Sequence, residues 1–291
     1  WPVALAEPLL PASSQEATAS AADYSMFLTA VPGSITSIVG PNGCGKSTLL
    51  KTLARQQKPV SGQVFHRDTD IWSISAREFS QHLSYVPQFI GGNINLTVEE
   101  LVALGRNPHQ KWWSWNVTGD DITAMEEAFQ LAKVEKLKNR YFSTLSGGER
   151  QRSLIAAALA QKAEVILLDE PISNLDFKHQ LSVISLLEEL KGKNIAVVVI
   201  LHDLNVIDRI SDQVVLIESL DGESNRISVK GEPDLVLTKE RLKAIFEVEV
   251  EVVTTADSGP EQRKAEDWRI TVESSKVVVA ISPTWVGAKV T

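Results

Sequence analysis

Residues 40–48 read Gly40-Pro41-Asn42-Gly43-Cys44-Gly45-Lys46-Ser47-Thr48, which fills every position of G-x-x-x-x-G-K-[ST] between an apolar run (Ile35, Ile38, Val39) and a helix-like stretch (Leu49, Leu50, Leu53). The pattern requires a buried strand, a tight glycine loop and a helix in immediate succession. Consecutive backbone N–H groups must turn inward onto phosphate oxygens at the positive end of that helix. Lys46 then neutralises the β- and γ-phosphates, and the Ser47 hydroxyl is a ligand of Mg²⁺. A nucleoside triphosphate is the ligand implied.

Strand and helix signals alternate from Ser34 onward. Ser34 to Val39 reads as a strand, Lys46 to Gln57 as a helix, Gly62 to His66 as a short strand, and Arg77 to His82 as a helical segment leading to Tyr85-Val86-Pro87. Residues 97–140 read as helical, with Val98, Leu101, Val102 and Leu104 on one face and Met125, Ala128, Phe129 and Leu131 on another. Buried-type strands follow at Val165 to Leu168, Ile195 to Leu201 and Gln213 to Glu218. Alternation with continuously apolar strands implies an α/β fold, a mostly parallel sheet covered on both faces, with the block at 97–140 as an inserted helical subdomain.

Several function classes are disfavoured. With 43% hydrophobic and 23% charged residues, 291 residues suffice for one large domain or two modest ones. The formal charge of −8, with no basic stripe, argues against a nucleic-acid partner. The longest apolar run, Ile195 to Leu201, is strand-sized and ends at His202 and Asp203. Residues 1–12 lack a basic start and contain Glu7, a poor fit to a signal peptide, and the first residue, Trp1, suggests a trimmed start. The single cysteine, Cys44, excludes an intrachain disulfide and suits a reducing compartment; a thiol reagent there is expected to obstruct nucleotide binding.

Three further stretches and two single residues carry chemistry. Leu145-Ser146-Gly147-Gly148-Glu149 precedes a helical run; Ser146 with Glu149 is a capping box, and the two glycines would let a ligand approach the helix start. Val165 to Leu168 runs into Asp169-Glu170, suiting Asp169 to Mg²⁺ and Glu170 to the role of general base toward water. Ser173-Asn174-Leu175-Asp176 is a turn with helix-capping residues. Gln88, following Tyr85-Val86-Pro87, can hold water and metal as a neutral amide, and His202, at a strand's end, can donate to the γ-phosphate.

Together, and in this order, these motifs resemble the ATP-binding cassette ATPases over roughly residues 25–250. The resemblance implies a P-loop NTPase core with an antiparallel N-terminal β portion, ATP and Mg²⁺ as ligands, and catalysis by Glu170, His202 and Gln88. It implies Ser47, Asp169 and Gln88 around the metal. It also implies a head-to-tail homodimer in which Ser146, Gly147 and Gly148 of one copy touch the γ-phosphate held by residues 40–48 of the other. Within that family, Leu96 to Leu101, Gly105 to His109, Leu159-Ala160-Gln161, His179-Gln180 and Leu201 to Asn205 resemble importers of ferric siderophores, haem or cobalamin. Such a subunit would sit on the cytoplasmic face of the inner membrane, bound to a separate permease, and work indirectly with a periplasmic or surface substrate-binding protein. The competing reading is a cassette ATPase not coupled to transport.

The expected division is 1–24 as a poorly matching segment, 25–250 as the ATPase domain with a helical subdomain at about 89–145, and 251–291 as a β-rich extension in which Trp268 to Val272 and Lys276 to Ile281 could pair as a hairpin. No aromatic residue occurs at Gln15 to Ser20, where the family stacks on adenine; Tyr24 is the nearest. Trp112, Trp113 and Trp115 read as core, or in part as the rim of a docking groove.

Overall fold

In the strand Ile35–Val39 (β3) every residue is buried, as are all residues of Val165–Leu168 (β7) and Ala196–Ile200 (β8), because these apolar runs lie in the middle of a sheet covered on both faces. The computed structural model describes residues 3–5, 28–59, 62–91, 94–110, 117–220, 224–246, 250–254 and 276–280. Three further strands complete the central sheet: Leu83–Val86 (β6), Gln213–Leu220 (β9) and Ser224–Gly231 (β10). The order is β10-β9-β3-β8-β7-β6, parallel throughout except for β10 at one edge.

The two-residue alternation of side chains divides the core into two clusters. Ile35, Val39, Ile166, Leu168, Val197, Val199, Val214 and Leu216 face one way, toward helices Gly147–Ala160 (α5), Phe177–Lys191 (α6) and Leu204–Ile210 (α7). Ile38, Val165, Leu167, Val198, Ile200, Val215 and Ile217 face the other way. There they join Leu49, Leu50 and Leu53 of helix Lys46–Leu53 (α1). The same cluster takes in Leu28, Ala30, Val64 and Ile71 from the antiparallel portion, whose strands Val3–Leu5 (β1), Thr29–Ala30 (β2), Val64–His66 (β4) and Thr69–Asp70 (β5) are ordered β2-β1-β4-β5.

Several expectations shift. Helix α1 stops at Leu53 rather than Gln57, because Ala54 leaves helical geometry and Arg55 turns left-handed (φ 58°). The segment expected near 77–82 is a short helix, Ala76–Phe79 (α2). The block at 97–140 is two capped helices, Val98–Leu104 (α3) and Gly119–Ala132 (α4), followed by a 3₁₀ turn. Val98, Leu101 and Val102 are buried but Leu104 is half exposed, since it lies off the α3 face that meets α5. Arg106 fastens the break: its guanidinium donates to Asp121 Oδ1 (2.8 Å) at the start of α4 and to the Ala160 carbonyl (2.7 Å) at the end of α5.

After two short helices, Pro233–Val236 (α8) and Lys239–Phe246 (α9), strand Val250–Thr254 (β11) pairs with Lys276–Ala280 (β12). The run at 276 is therefore a strand, but its recorded partner is β11; Trp268 to Val272 lies outside the described residues, as do Gln15 to Ser20, Tyr24, Trp112, Trp113 and Trp115. Among the described residues no helix is long and apolar enough to cross a membrane.

Candidate active site at the strand ends

The loop at 40–48, Gln88, Asp169-Glu170 and His202 lie at or just beyond the C-terminal ends of β3, β6, β7 and β8, on one edge of the parallel sheet. The phosphate-type loop is shaped by backbone and not by side-chain caps. Gly40 passes so close to its surroundings that an added Cβ would lie 2.5 Å from the Ile217 carbonyl oxygen and 2.7 Å from Cys44 Sγ. Gly45 caps α1 in a left-handed conformation (φ 85°), with no side-chain hydrogen bond to the helix and no acidic residue in its first turn. By contrast Thr97, Thr118, Ser146, Asp176 and Asp203 each accept a first-turn N–H at the start of their helices. An uncapped, non-acidic helix start is suited to an anion. Lys46 is buried, and its Nζ donates to the carbonyls of Gly40 and Pro41, both at 2.8 Å.

Cys44 is buried, and burial raises its thiol above the ordinary range despite the nearby Lys46 charge. The expected reaction with a thiol reagent is therefore disfavoured, since an enclosed, protonated thiol is a poor nucleophile.

Two hydrogen-bonded groups occupy the strand ends. In the first, Ser47 Oγ donates to Asp169 Oδ1 (3.0 Å) and Tyr85 Oη donates to Asp169 Oδ2 (3.3 Å). Burial raises the Asp169 carboxyl, with these two donors acting in the opposite direction, and burial beside Asp169 pushes the Tyr85 phenol up to about 12, so it remains a donor. A hydroxyl and a carboxylate converging at this distance are hard oxygen donors, a set that fits Mg²⁺. In the second, Glu170 accepts from Gln88 Nε2 (2.6 Å) and Ser173 Oγ (2.8 Å) on one oxygen and from His202 Nε2 (2.7 Å) on the other. Burial works to raise this carboxyl, yet the His202 and Ser173 hydrogen bonds and the charges of His202 and Lys46 outweigh it and hold it below the usual carboxylate range. Glu170 is thus an ionised carboxylate at the end of a buried strand. Its backbone is left-handed (φ 48°), a costly conformation for a residue with a side chain.

Tyr85 is the member the sequence reading missed; its position at the third residue of β6, beside Leu167 of β7, marked it only as part of a strand.

Ser146, Gly147 and Gly148 stand apart. Ser146 accepts from Glu149 N–H and Glu149 accepts from Ser146 N–H, a complete capping box, and Ser146 makes no recorded hydrogen bond to the strand-end residues. Ser146 and Gly147 are exposed, and a Cβ on Gly147 would make ordinary contact with Leu175 (3.4 Å). Gly148 is buried: a Cβ there would fall 2.2 Å from Cγ of His179. What an added Cβ on Gly148 would meet within the chain is therefore helix α6, while Ser146 and Gly147 are exposed.

The ABC transporter family profile matches residues 25–173. The chain is 39% identical over 229 residues to the probable siderophore transport system ATP-binding protein YusV of Bacillus subtilis, covering 77% of this chain and 80% of the relative. It is 37% identical over 216 residues to the ferric enterobactin transport ATP-binding protein FepC of Escherichia coli, covering 74% and 77%. Among solved structures, it superposes with a TM-score of 0.71 at 28% identity on a chain of a transporter provisionally classed as the metal-chelate ABC type, captured facing inward, covering 89% of this chain and 91% of that one.

Proposed function

This chain belongs to the ABC transporter ATPases, and we propose that within the family it is the ATP-hydrolysing subunit of an importer that moves a ferric siderophore, or the related cargoes haem or cobalamin, through a separate permease. The observation that carries the catalytic part is the Glu170 carboxylate, ionised and held by Gln88, Ser173 and His202 beside the Ser47–Asp169 pair. The cargo rests on the relatives, which include ATP-binding proteins for siderophore, iron(3+)-hydroxamate and ferric enterobactin transport.

In this reading the backbone of Gly40 to Thr48 and the start of α1 hold the phosphates, and Lys46 exchanges its two loop carbonyls for phosphate oxygens. Ser47, Asp169 and Gln88 would hold Mg²⁺, which supplies charge neutralisation to the phosphates when bound. Glu170 accepts the proton of the attacking water; His202 and Gln88 orient it, and His202 reaches the γ-phosphate. Ser146, Gly147 and Gly148 serve the nucleotide of a second copy arranged head to tail. Residues 25–250 are the catalytic unit, which includes the helical subdomain at about 89–145, and the extension from 251 lies outside it. The complex would lie peripherally on the cytoplasmic membrane face, with a periplasmic or surface binding protein as an indirect partner.

The test is a strain lacking this chain, supplied in turn with ferric siderophore, haem or cobalamin as the only usable source. Loss of growth on the siderophore alone, restored by the intact chain but not by Lys46→Ala, is expected. Normal growth on all three would overturn the assignment.

A further inference from the structure

At the opposite edge of the sheet from the strand-end site, three metal-binding side chains converge. His66 closes β4 of the antiparallel portion, His82 immediately precedes β6, and Glu164 immediately precedes β7. The His66 and His82 rings stack with centroids 4.5 Å apart. His66 Nε2 lies 3.4 Å from Glu164 Oε2 and His82 Nδ1 lies 3.4 Å from Glu164 Oε1. One ligand atom from each of the three falls within 4.8 Å of the others.

We propose that His66, His82 and Glu164 form a binding site for one divalent transition ion, with Zn²⁺ the ion the set suits. Two imidazole nitrogens and a carboxylate oxygen, with water in the fourth position, are a zinc ligand set; bonds of about 2.0–2.2 Å in a tetrahedron separate neighbouring donors by about 3.3–3.5 Å. Each nitrogen–oxygen distance has that spacing, His66 to one oxygen of Glu164 and His82 to the other, so the carboxylate must turn to present a single oxygen to both. Ring stacking alone leaves one fact unexplained: His66 Nε2 is buried, faces the carboxylate and makes no hydrogen bond.

The backbones beneath the ligands are fixed. The His82 carbonyl accepts from the N–H groups of Glu164 (3.0 Å) and Val165 (3.1 Å), and the Glu164 carbonyl accepts from Ala196 N–H (2.9 Å). His66 is paired with both neighbouring strands, opposite Val3 and Thr69. The remaining closure falls on the Glu164 side chain, which is 38% exposed. Arg67 Nη2 donates to Glu164 Oε1 (2.6 Å) and stays as the group that orients the ligating carboxylate. An ion here would clasp the antiparallel hairpin to two parallel strands. It would lie five residues of β-strand, about 17 Å, from Asp169, and so would not enter the nucleotide chemistry.

The experiment titrates Co²⁺ and then Zn²⁺ into the full chain with Mg²⁺ in excess to fill hard oxygen sites. One equivalent of cobalt should give the intense visible bands of four-coordinate geometry, and zinc should displace it. His82→Gln and Glu164→Gln should each remove the bands and weaken binding at least about 10-fold, the effect seen when a mere supporting partner of a ligand is lost. Retained nucleotide binding shows that the variants fold. Independently of any variant, zinc should shift the ring resonances of His66 and His82 and leave His202 in place. Absent bands, bands surviving in both variants, or a response confined to His202 would each overturn the site.

Discussion

Oε1 of Glu170 lies 2.7 Å from Nε2 of His202, and the two residues follow adjacent parallel strands, β7 and β8. Because Glu170 is held ionised, it can only accept, so the imidazole Nε2 must carry the proton. The histidine is 41% exposed and the glutamate 17% exposed, so the pair has an open side at the histidine.

Glu170→Gln should retain ATP binding and lower turnover by about 10²-fold or more, the usual size for loss of a general base. His202→Ala should be milder, about 10- to 100-fold, since it removes one hydrogen bond to a charged group. Lys46→Ala should weaken nucleotide affinity instead. Nucleotide affinity and steady-state turnover measured side by side separate the three; normal turnover in Glu170→Gln would sink the role of that residue.

Tyr85→Phe removes the donor to Asp169 Oδ2 and leaves Ser47 as the other recorded donor to that carboxylate. At about 1.5–3 kcal/mol for a hydrogen bond to a charge, the Mg²⁺ concentration needed for half-maximal hydrolysis should rise roughly tenfold. An unchanged magnesium dependence would reduce Tyr85 to a packing residue.

What the sequence made legible divides along physical lines. The loop at 40–48, Gln88, Asp169-Glu170 and His202 follow apolar runs that turn out to be parallel strands, so their convergence on one edge follows from the pattern. Tyr85 and the His66–His82–Glu164 cluster depend instead on which strands become neighbours and in what register, and local periodicity does not encode that. The end of α1 was missed because Arg55 adopts a left-handed conformation with no glycine or asparagine to announce it. The β10 edge strand was missed for a similar reason: Ser224–Gly231 is mostly polar and belongs to the sheet by pairing with β9.

The two glycines after Ser146 should respond differently to alanine. Gly148→Ala places a methyl group 2.2 Å from Cγ of His179 and should cost about 1–3 kcal/mol of stability, as overpacking does. Gly147→Ala meets only ordinary contact, so its melting temperature should stay near that of the parent while turnover falls if a nucleotide of a second copy approaches there. Thermal melting with an ATPase assay decides this; full activity in Gly147→Ala would remove Gly147 from the site.

Acid should loosen the joint between α4 and α5. Burial tends to raise the Asp121 carboxyl, but hydrogen bonds from Thr118 and Arg106 and the Arg106 charge outweigh it and bring it to about 2. The folded-state value thus lies below the ordinary 3.8, so the associated stability, about 2 kcal/mol, is complete above pH of about 4 and disappears as pH falls toward 2. Asp121→Asn also strands the buried Arg106 and should cost about 3 kcal/mol at neutral pH. Urea unfolding at pH 7 and near pH 2 should show that cost narrowing in acid; an equal cost at both values would contradict the assignment.

Catalysis shared between two copies, as proposed above, predicts complementation between a defect in Ser146 and a defect in Glu170. Ser146→Arg leaves Lys46, Asp169 and Glu170 intact but blocks the surface offered to a second copy, and Glu170→Gln does the reverse. Each alone should be nearly inactive. When the two are mixed, a heterodimer contains one site in which the first chain supplies the phosphate loop and Glu170 while the second supplies an unaltered Ser146-Gly147-Gly148. Hydrolysis should therefore return, to at most about a quarter of the wild-type rate if chains assort at random and each site works alone. Should the heterodimers form yet stay inactive, trapping of nucleotide at the single intact site separates a requirement for both sites from the absence of sharing. No trapping in a proven heterodimer would reject assembly in trans.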